Sequence, residues 1–149
     1  MKLLVAVDGS AEADEALAYA TDVADATDGS ITVAYAVDPA IYDLGGSGPI
    51  SSLSDADRRL VVENIADTEK RGLEVLDDAA DFAAELGREV ETELLYGDPV
   101  VAISDFAETE GFDTILVGHR GRSERTERLV GSVAKGLVER TTVTVTVVR

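Results

Sequence analysis

The feature that most limits what this chain can become is the alternation of two hydrophobic periods along it. Leu3–Val7 (LLVAV) and Thr114–Gly118 (TILVG) are short apolar runs with no polar face. Such runs are strands covered on both sides. Ile31–Val37 (ITVAYAV), Glu89–Tyr96 (EVETELLY) and Thr142–Val148 (TVTVTVV) also read as strands. Helical spacing fills the gaps. Ala13, Ala16, Leu17, Ala20, Val23 and Ala24 fall on one stripe, with Ser10 as N-cap and Gly29 as the stop. A long helix is predicted over Ala56–Leu86, carrying Val61, Ile65, Leu76, Ala79, Ala80 and Ala83 inward, with Gly72 as a local weakness and Gly87 as its end. Asp98 then caps a helix that starts at Pro99, buries Ile103, Phe106 and Ala107, and stops at Gly111. The last helix runs over Gly131–Arg140 and carries Val133, Leu137 and Val138. Strand and helix alternate throughout, which predicts one α/β domain over residues 1–149, a mostly parallel sheet of five strands with helices on both faces.

Charge and composition exclude much. The formal net charge is −17 over 149 residues. Nucleic acid and anionic membranes are polyanions, so neither is an expected partner. Lysine is scarce beside arginine, and an acidic, lysine-poor surface suits concentrated salt, where self-repulsion is screened; a halophilic source is the expectation. Cysteine is absent, which removes disulfides, thiol nucleophiles and thiolate metal sites. His119 is the sole histidine, so no histidine cluster can hold a metal and no catalytic triad can form away from it. The N-terminus is too short in apolar residues for a signal peptide and no run is long enough to span a membrane, so the cytoplasm is the expected location.

Ligands of open parallel sheets bind beyond the carboxyl ends of the strands. Those ends are Asp8–Ser10, Val37–Pro39, Tyr96–Pro99 and Gly118–Gly121. One of them opens LVGHRGRSERTERLVGSV, Leu116–Val133, where an acidic protein gathers His119, Arg120, Arg122, Arg125 and Arg128 against two acids, Glu124 and Glu127. A strand, a glycine loop and a helix start form an anion site: unpartnered N–H groups point outward and the helix dipole favours negative charge. Gly118 and Gly121 would let the backbone approach the anion, and Ser132 adds a hydroxyl. The bland alternative pairs these arginines with Glu124 and Glu127 on a solvated loop. The glycines do not make a Walker A loop, which needs a lysine before Ser or Thr, nor a dinucleotide G-x-G-x-x-G. Asp98 is accounted for by capping, and Asp8 reads either as turn chemistry or as a ligand residue. The glycine-rich Asp38–Asp55 stretch has no periodicity and reads as a lid over the ligand or as disorder.

GHRGRSERTERLVGS, Gly118–Ser132, resembles the G-x2-G-x9-G-[ST] nucleotide motif of the universal stress protein family. The likeness extends to the VAVDGS opening, the GDP before the third helix and DTILVGHRG at the fourth strand, covering nearly the whole chain. It implies a Rossmann-like three-layer sandwich of the adenine nucleotide alpha hydrolase type, which commonly dimerises and, with the motif present, typically binds ATP. By that resemblance Asp8, with Gly9 and Ser10 beside it, would face the ribose or a water on a phosphate-bound Mg2+ or Mn2+. Val37 would offer backbone to adenine, and Val117 would be an apolar wall. Gly118, Arg120 and Gly121 would line the ribose and phosphates, and Gly131, Ser132 and Val133 would hold the phosphates; AMP or ADP are alternatives to ATP. Two departures stand out. Ala134 replaces a frequent Ser or Thr, removing one phosphate hydroxyl, and RTTVTVTVVR replaces a Cys-Pro-Val-x-Val-Val ending.

The reading is therefore an ATP-binding regulatory module of the stress response. A slow ATPase is an alternative, although no nucleophile–base pair is evident beyond Asp8. A nucleotide-free dimerising partner protein is another. A receiver domain is set aside because Asp8 stands without an acid cluster and no lysine closes the last strand. Residues 142–148, β-branched at every position and expected at a sheet edge, would pair two copies into a homodimer.

Overall fold

The computed structural model describes residues 1–38, 55–120 and 131–149, with 55–64 as backbone. Elements alternate as expected: β1 (Lys2–Ala6), α1 (Ala11–Thr27), β2 (Ser30–Val37), α2 (Asp55–Glu85), β3 (Glu91–Tyr96), α3 (Pro99–Thr109), β4 (Thr114–Gly118), α4 (Ser132–Arg140) and β5 (Thr144–Val148). The sheet is parallel throughout, in the order β3-β2-β1-β4-β5. The chain leaves β1 toward β2 on one side and later returns to β4 on the other, so the order switches between β1 and β4. The expected loop over Asp38–Asp55 lies, apart from its two ends, outside the described residues, as do Gly121, Arg122, Arg125 and Arg128.

The strand pleat explains the layering. Alternate residues of β1 face opposite ways: Leu3 and Val5 join α1 and α2, while Leu4 and Ala6 join α3 and α4. β4 divides likewise, with Leu116 on the first side and Ile115 and Val117 on the second. α1 packs closely because its inner stripe is small: Ala13, Ala16, Ala20 and Ala24 surround Leu17, all buried. Leu17 is fully buried, which contributes roughly 1.5–3 kcal/mol. Ser10 caps α1 by accepting from the Ala13 N–H at 3.2 Å, and Asp98 caps α3 by accepting from the Val101 N–H at 3.1 Å.

Several expectations are refined. Asp28, not Gly29, takes the left-handed conformation ending α1, at φ 52°. In the last helix Leu137 is buried as expected and Val133 packs partly against the core, whereas Val138 is 58% exposed and Ala134 is buried. The final strand starts at Thr144 rather than Thr142. Glu108 of α3 takes the preceding residues: its Oε1 accepts from the Thr141 hydroxyl at 3.2 Å, the Thr142 N–H at 2.9 Å and the Thr142 hydroxyl at 3.1 Å. Gly72 is not a defect in α2. A Cβ there would lie 2.7 Å from Tyr35 Cδ1 and 2.9 Å from Leu94 Cδ1, so the helix can approach the sheet only with glycine at this point.

Candidate functional site

At the switch between β1 and β4 the strand ends splay and leave a cavity of about 580 Å3. Its floor is the carboxyl end of the sheet: Ala6 of β1 with Val7 and Asp8 beyond it, Tyr35 and Ala36 of β2, and Val117 and Gly118 of β4. Ser10 and Ala13 of α1, Arg71 of α2, Pro99 and Ile103 of α3, and the start of α4 form the walls. The lining is mostly apolar with a few convergent polar groups, the usual make-up of a small-molecule site.

The polar end is built at the α4 N-terminus. Gly131 is its N-cap and has no side chain with which to cap the first turn. The first helical bond runs from the Lys135 N–H to the Gly131 carbonyl at 3.0 Å. Ser132, Val133 and Ala134, whose N–H groups precede it, are lining residues. The turn is fixed by backbone: the Gly131 N–H donates to the His119 carbonyl, and the His119 N–H donates to the Val148 carbonyl at 2.9 Å. The helix start is thereby tied to the ends of both β4 and β5. With its N–H groups and dipole directed at the cavity, this end suits an anion.

Side chains around that end are charged on both signs. Arg120 Nη2 donates to Glu12 Oε1 at 3.1 Å, and Arg120 Nε donates to His119 Nε2 at 3.1 Å. Nδ1 is the other nitrogen of that ring. That Nδ1 is buried without a hydrogen-bond partner among the described residues. Asp8 Oδ1 accepts from the Ser10 N–H at 2.9 Å, which shapes the turn after β1. Gly9, at φ +84°, permits this turn, where a side chain would be strained. Asp14 is raised above the ordinary carboxylate range, first by partial burial and then by the nearby charges of Asp78 and Asp8.

Of the residues expected to form the site, Asp8, Ser10, Val117, Gly118, Arg120, Gly131, Ser132 and Val133 meet on this one lining. Gly9 shapes the turn without lining the cavity, and Gly121 lies outside the described residues. Val37 is not on the lining either. It is fully buried, and its carbonyl accepts the Gly97 N–H at 2.8 Å, so β2 contributes Tyr35 and Ala36 to the lining rather than Val37. Gly118 is glycine for a reason other than ligand approach: a Cβ there would meet the backbone of Glu12. Tyr35 and Arg71 had no signal in the sequence, since both depend on where α2 lies across β2. Among the described residues no group of three or more acids and histidines is arranged to hold a metal ion, and Asp8 is the carboxylate on the lining.

The cavity, the glycine-capped helix start and the glycine spacing agree with a comparison of the sequence against family models. Residues 1–149 match the model described as the universal stress protein family. The chain belongs to that family. Universal stress protein YxiE of Bacillus subtilis is 29% identical over 148 residues, 99% of this chain and 98% of its own. Among solved structures, universal stress protein UspA from Lactobacillus plantarum is similar with a TM-score of 0.81 at 24% identity, covering 100% of this chain and 97% of its own. A universal stress protein solved in complex with cAMP is similar with a TM-score of 0.69 at 25% identity, covering 100% and 97%. The fold is thus that of universal stress proteins. No helix among the described residues is long and apolar enough to cross a membrane.

Proposed function

We propose that this universal stress protein is a nucleotide-dependent regulatory module of the stress response, acting in the cytoplasm. In this reading an adenine nucleotide fills the cavity. Its phosphates lie on the N–H groups at the start of α4, and its base lies toward Tyr35, Ala36 and Ile103. The observation that carries the reading is the glycine-capped start of α4 opening onto a mostly apolar cavity at the switch point of the sheet. The relative solved with cAMP supports an adenine nucleotide as the ligand class.

ATP is the specific ligand proposed, with AMP or ADP as alternatives. A Mg2+ or Mn2+ would arrive bound to the phosphates, with Asp8 facing it, because the described side chains form no cage of their own. Two copies pair through the β5 edge, which has no strand on its outer side among the described residues. Light scattering in molar salt at micromolar protein tests this, and a monomer mass rules it out.

The deciding experiment is a thermal-unfolding series in molar KCl with Mg-ATP, AMP, adenosine and no ligand. A ligand at about a hundred times its dissociation constant stabilises by roughly 2.7 kcal/mol, a readily visible shift. Phosphorylated ligands raising the midpoint above adenosine is the expected result. No shift with any of them leaves the dimerising partner protein as the function.

A further inference from the structure

A polyphosphate site needs uncompensated positive charge, and of the two arginines on the described lining, Arg71 and Arg120, the one beside the α4 start is already paired. Arg120 is the guanidinium on the lining nearest in sequence to β4, and Glu12 already holds it at 3.1 Å. The two side chains are only 20% and 24% exposed, so water screens their interaction incompletely. His119 is the other partner of Arg120, accepting from its Nε. Glu12 cannot swing its backbone away, because the end of β4 packs directly on it. Asp8 stands on the lining, and Asp14 is raised above the ordinary carboxylate range, first by partial burial and then by the charges of Asp78 and Asp8. The protein as a whole carries −17.

We infer that Glu12 sets how much phosphate charge the site accepts, by fixing Arg120 against the lining while cancelling its charge. The ligands favoured are adenine compounds of low charge, such as a nucleoside monophosphate or cyclic monophosphate, over a metal-free triphosphate. This rests on the nucleotide reading and adds a selectivity residue to it. A guanidinium has five N–H donors in a plane. Glu12 and His119 engage two of them, which orients the others without removing them. Glu12 therefore positions a donor set while withholding net charge. A phosphate feels both the fixed donors and the nearby carboxylate, and the repulsion grows with each added negative charge.

Glu12→Gln separates the two effects, since the amide oxygen still accepts from Arg120 but the charge is gone. Binding of adenosine, AMP, Mg-ATP and ATP with EDTA is measured by calorimetry, at the lowest KCl concentration that leaves the unliganded melting midpoint unchanged. The expected profile tilts with ligand charge: adenosine unchanged within about twofold, AMP and Mg-ATP tighter by about threefold, and metal-free ATP tighter by about tenfold. A purely structural role for Glu12 would move all four together. If Glu12→Gln does not fold, Glu12→Ala replaces it, because alanine is well suited to a helix surface, and the same tilt is required. Equal changes for all four ligands, or weaker binding of the phosphorylated ones, overturn the inference while leaving the nucleotide reading intact. Binding of none of the four by the wild-type protein or the variant overturns both.

Discussion

Gly118 and Glu12 meet backbone to side-chain position: a Cβ on Gly118 would lie 2.8 Å from both the carbonyl carbon and the carbonyl oxygen of Glu12. The contact joins the last residue of β4 to the first turn of α1, and the Arg120–Glu12 ion pair lies immediately beside it. Neither backbone can yield without moving its whole element. Gly118→Ala is therefore expected to destabilise by about 1–3 kcal/mol through overpacking. Urea unfolding checks this. The variant should also lose affinity for phosphorylated ligands, because α1 must shift and Glu12 moves with it. An unchanged midpoint would mean that the two elements are not packed this closely.

Gly72 makes a second close approach, and here two effects compete. Alanine in a helix interior is favoured over glycine by about 1 kcal/mol. Against that, the new methyl would stand 2.7 Å from Tyr35 Cδ1, 2.9 Å from Tyr35 Cε1 and 2.9 Å from Leu94 Cδ1. An aromatic ring wedged between a helix and the sheet has little room to turn. Gly72→Ala is expected to be destabilising by about 1–2 kcal/mol net, read as a fall in the urea midpoint. Because Tyr35 lines the cavity, ligand affinity should fall with it.

These two glycines show what was legible in the sequence and what was not. Element type was plain wherever the pattern was local: LLVAV has no polar face, Ser10 and Asp98 stand just where caps are needed, and the glycine at 131 marked the start of α4. Features set by three-dimensional placement left no such mark. Gly72 looks like a weak point in a helix until Tyr35 is seen against it. Ala36 and Val37 are neighbours with equally apolar side chains, and only the pleat and register decide which one faces the cavity. Val138 and Ala134 differ by a turn of α4, whose inner face depends on α3. Glu108 reaches residues 33 and 34 positions away, a pairing that no local pattern encodes.

Glu108 gives a pH prediction. Its carboxylate is held below the ordinary range, first by the Thr142 N–H, then by the Thr142 and Thr141 hydroxyls, with Arg140 adding a smaller attraction. A depressed folded-state pKa means that the unfolded chain binds its proton more readily. The stabilising contribution is then complete above the unfolded value and disappears as pH falls through the folded one. Glu108→Gln should lower the melting midpoint near neutral pH, and the gap from wild type should close in acid. A gap that is constant with pH would assign the loss to packing rather than to the charge.

Gly131 lends itself to a test of the cavity because its backbone, at φ −61° and ψ 157°, is open to any residue. Gly131→Val should fold with a slightly lowered melting midpoint in the absence of ligand, because valine is a poorer N-cap than glycine. Its side chain would intrude where the first turn of α4 meets the lining, and nucleotide binding should fall at least tenfold, a difference of about 1.4 kcal/mol. Titration with AMP measures it, and full-strength binding would move the phosphates away from α4.

Arg120→Ala completes the set, because it probes the same charge from the other side. The substitution removes a charge-assisted donor, worth about 1.5–3 kcal/mol where it meets an anion. It also leaves Glu12 beside the phosphates with no cation to offset it. Both effects act on charge, so AMP and ATP should weaken by at least tenfold while adenosine changes little. The double variant with Glu12→Gln should recover part of the ATP affinity, since the uncompensated carboxylate is removed. Equal weakening of adenosine and ATP would instead place Arg120 against the base or the ribose.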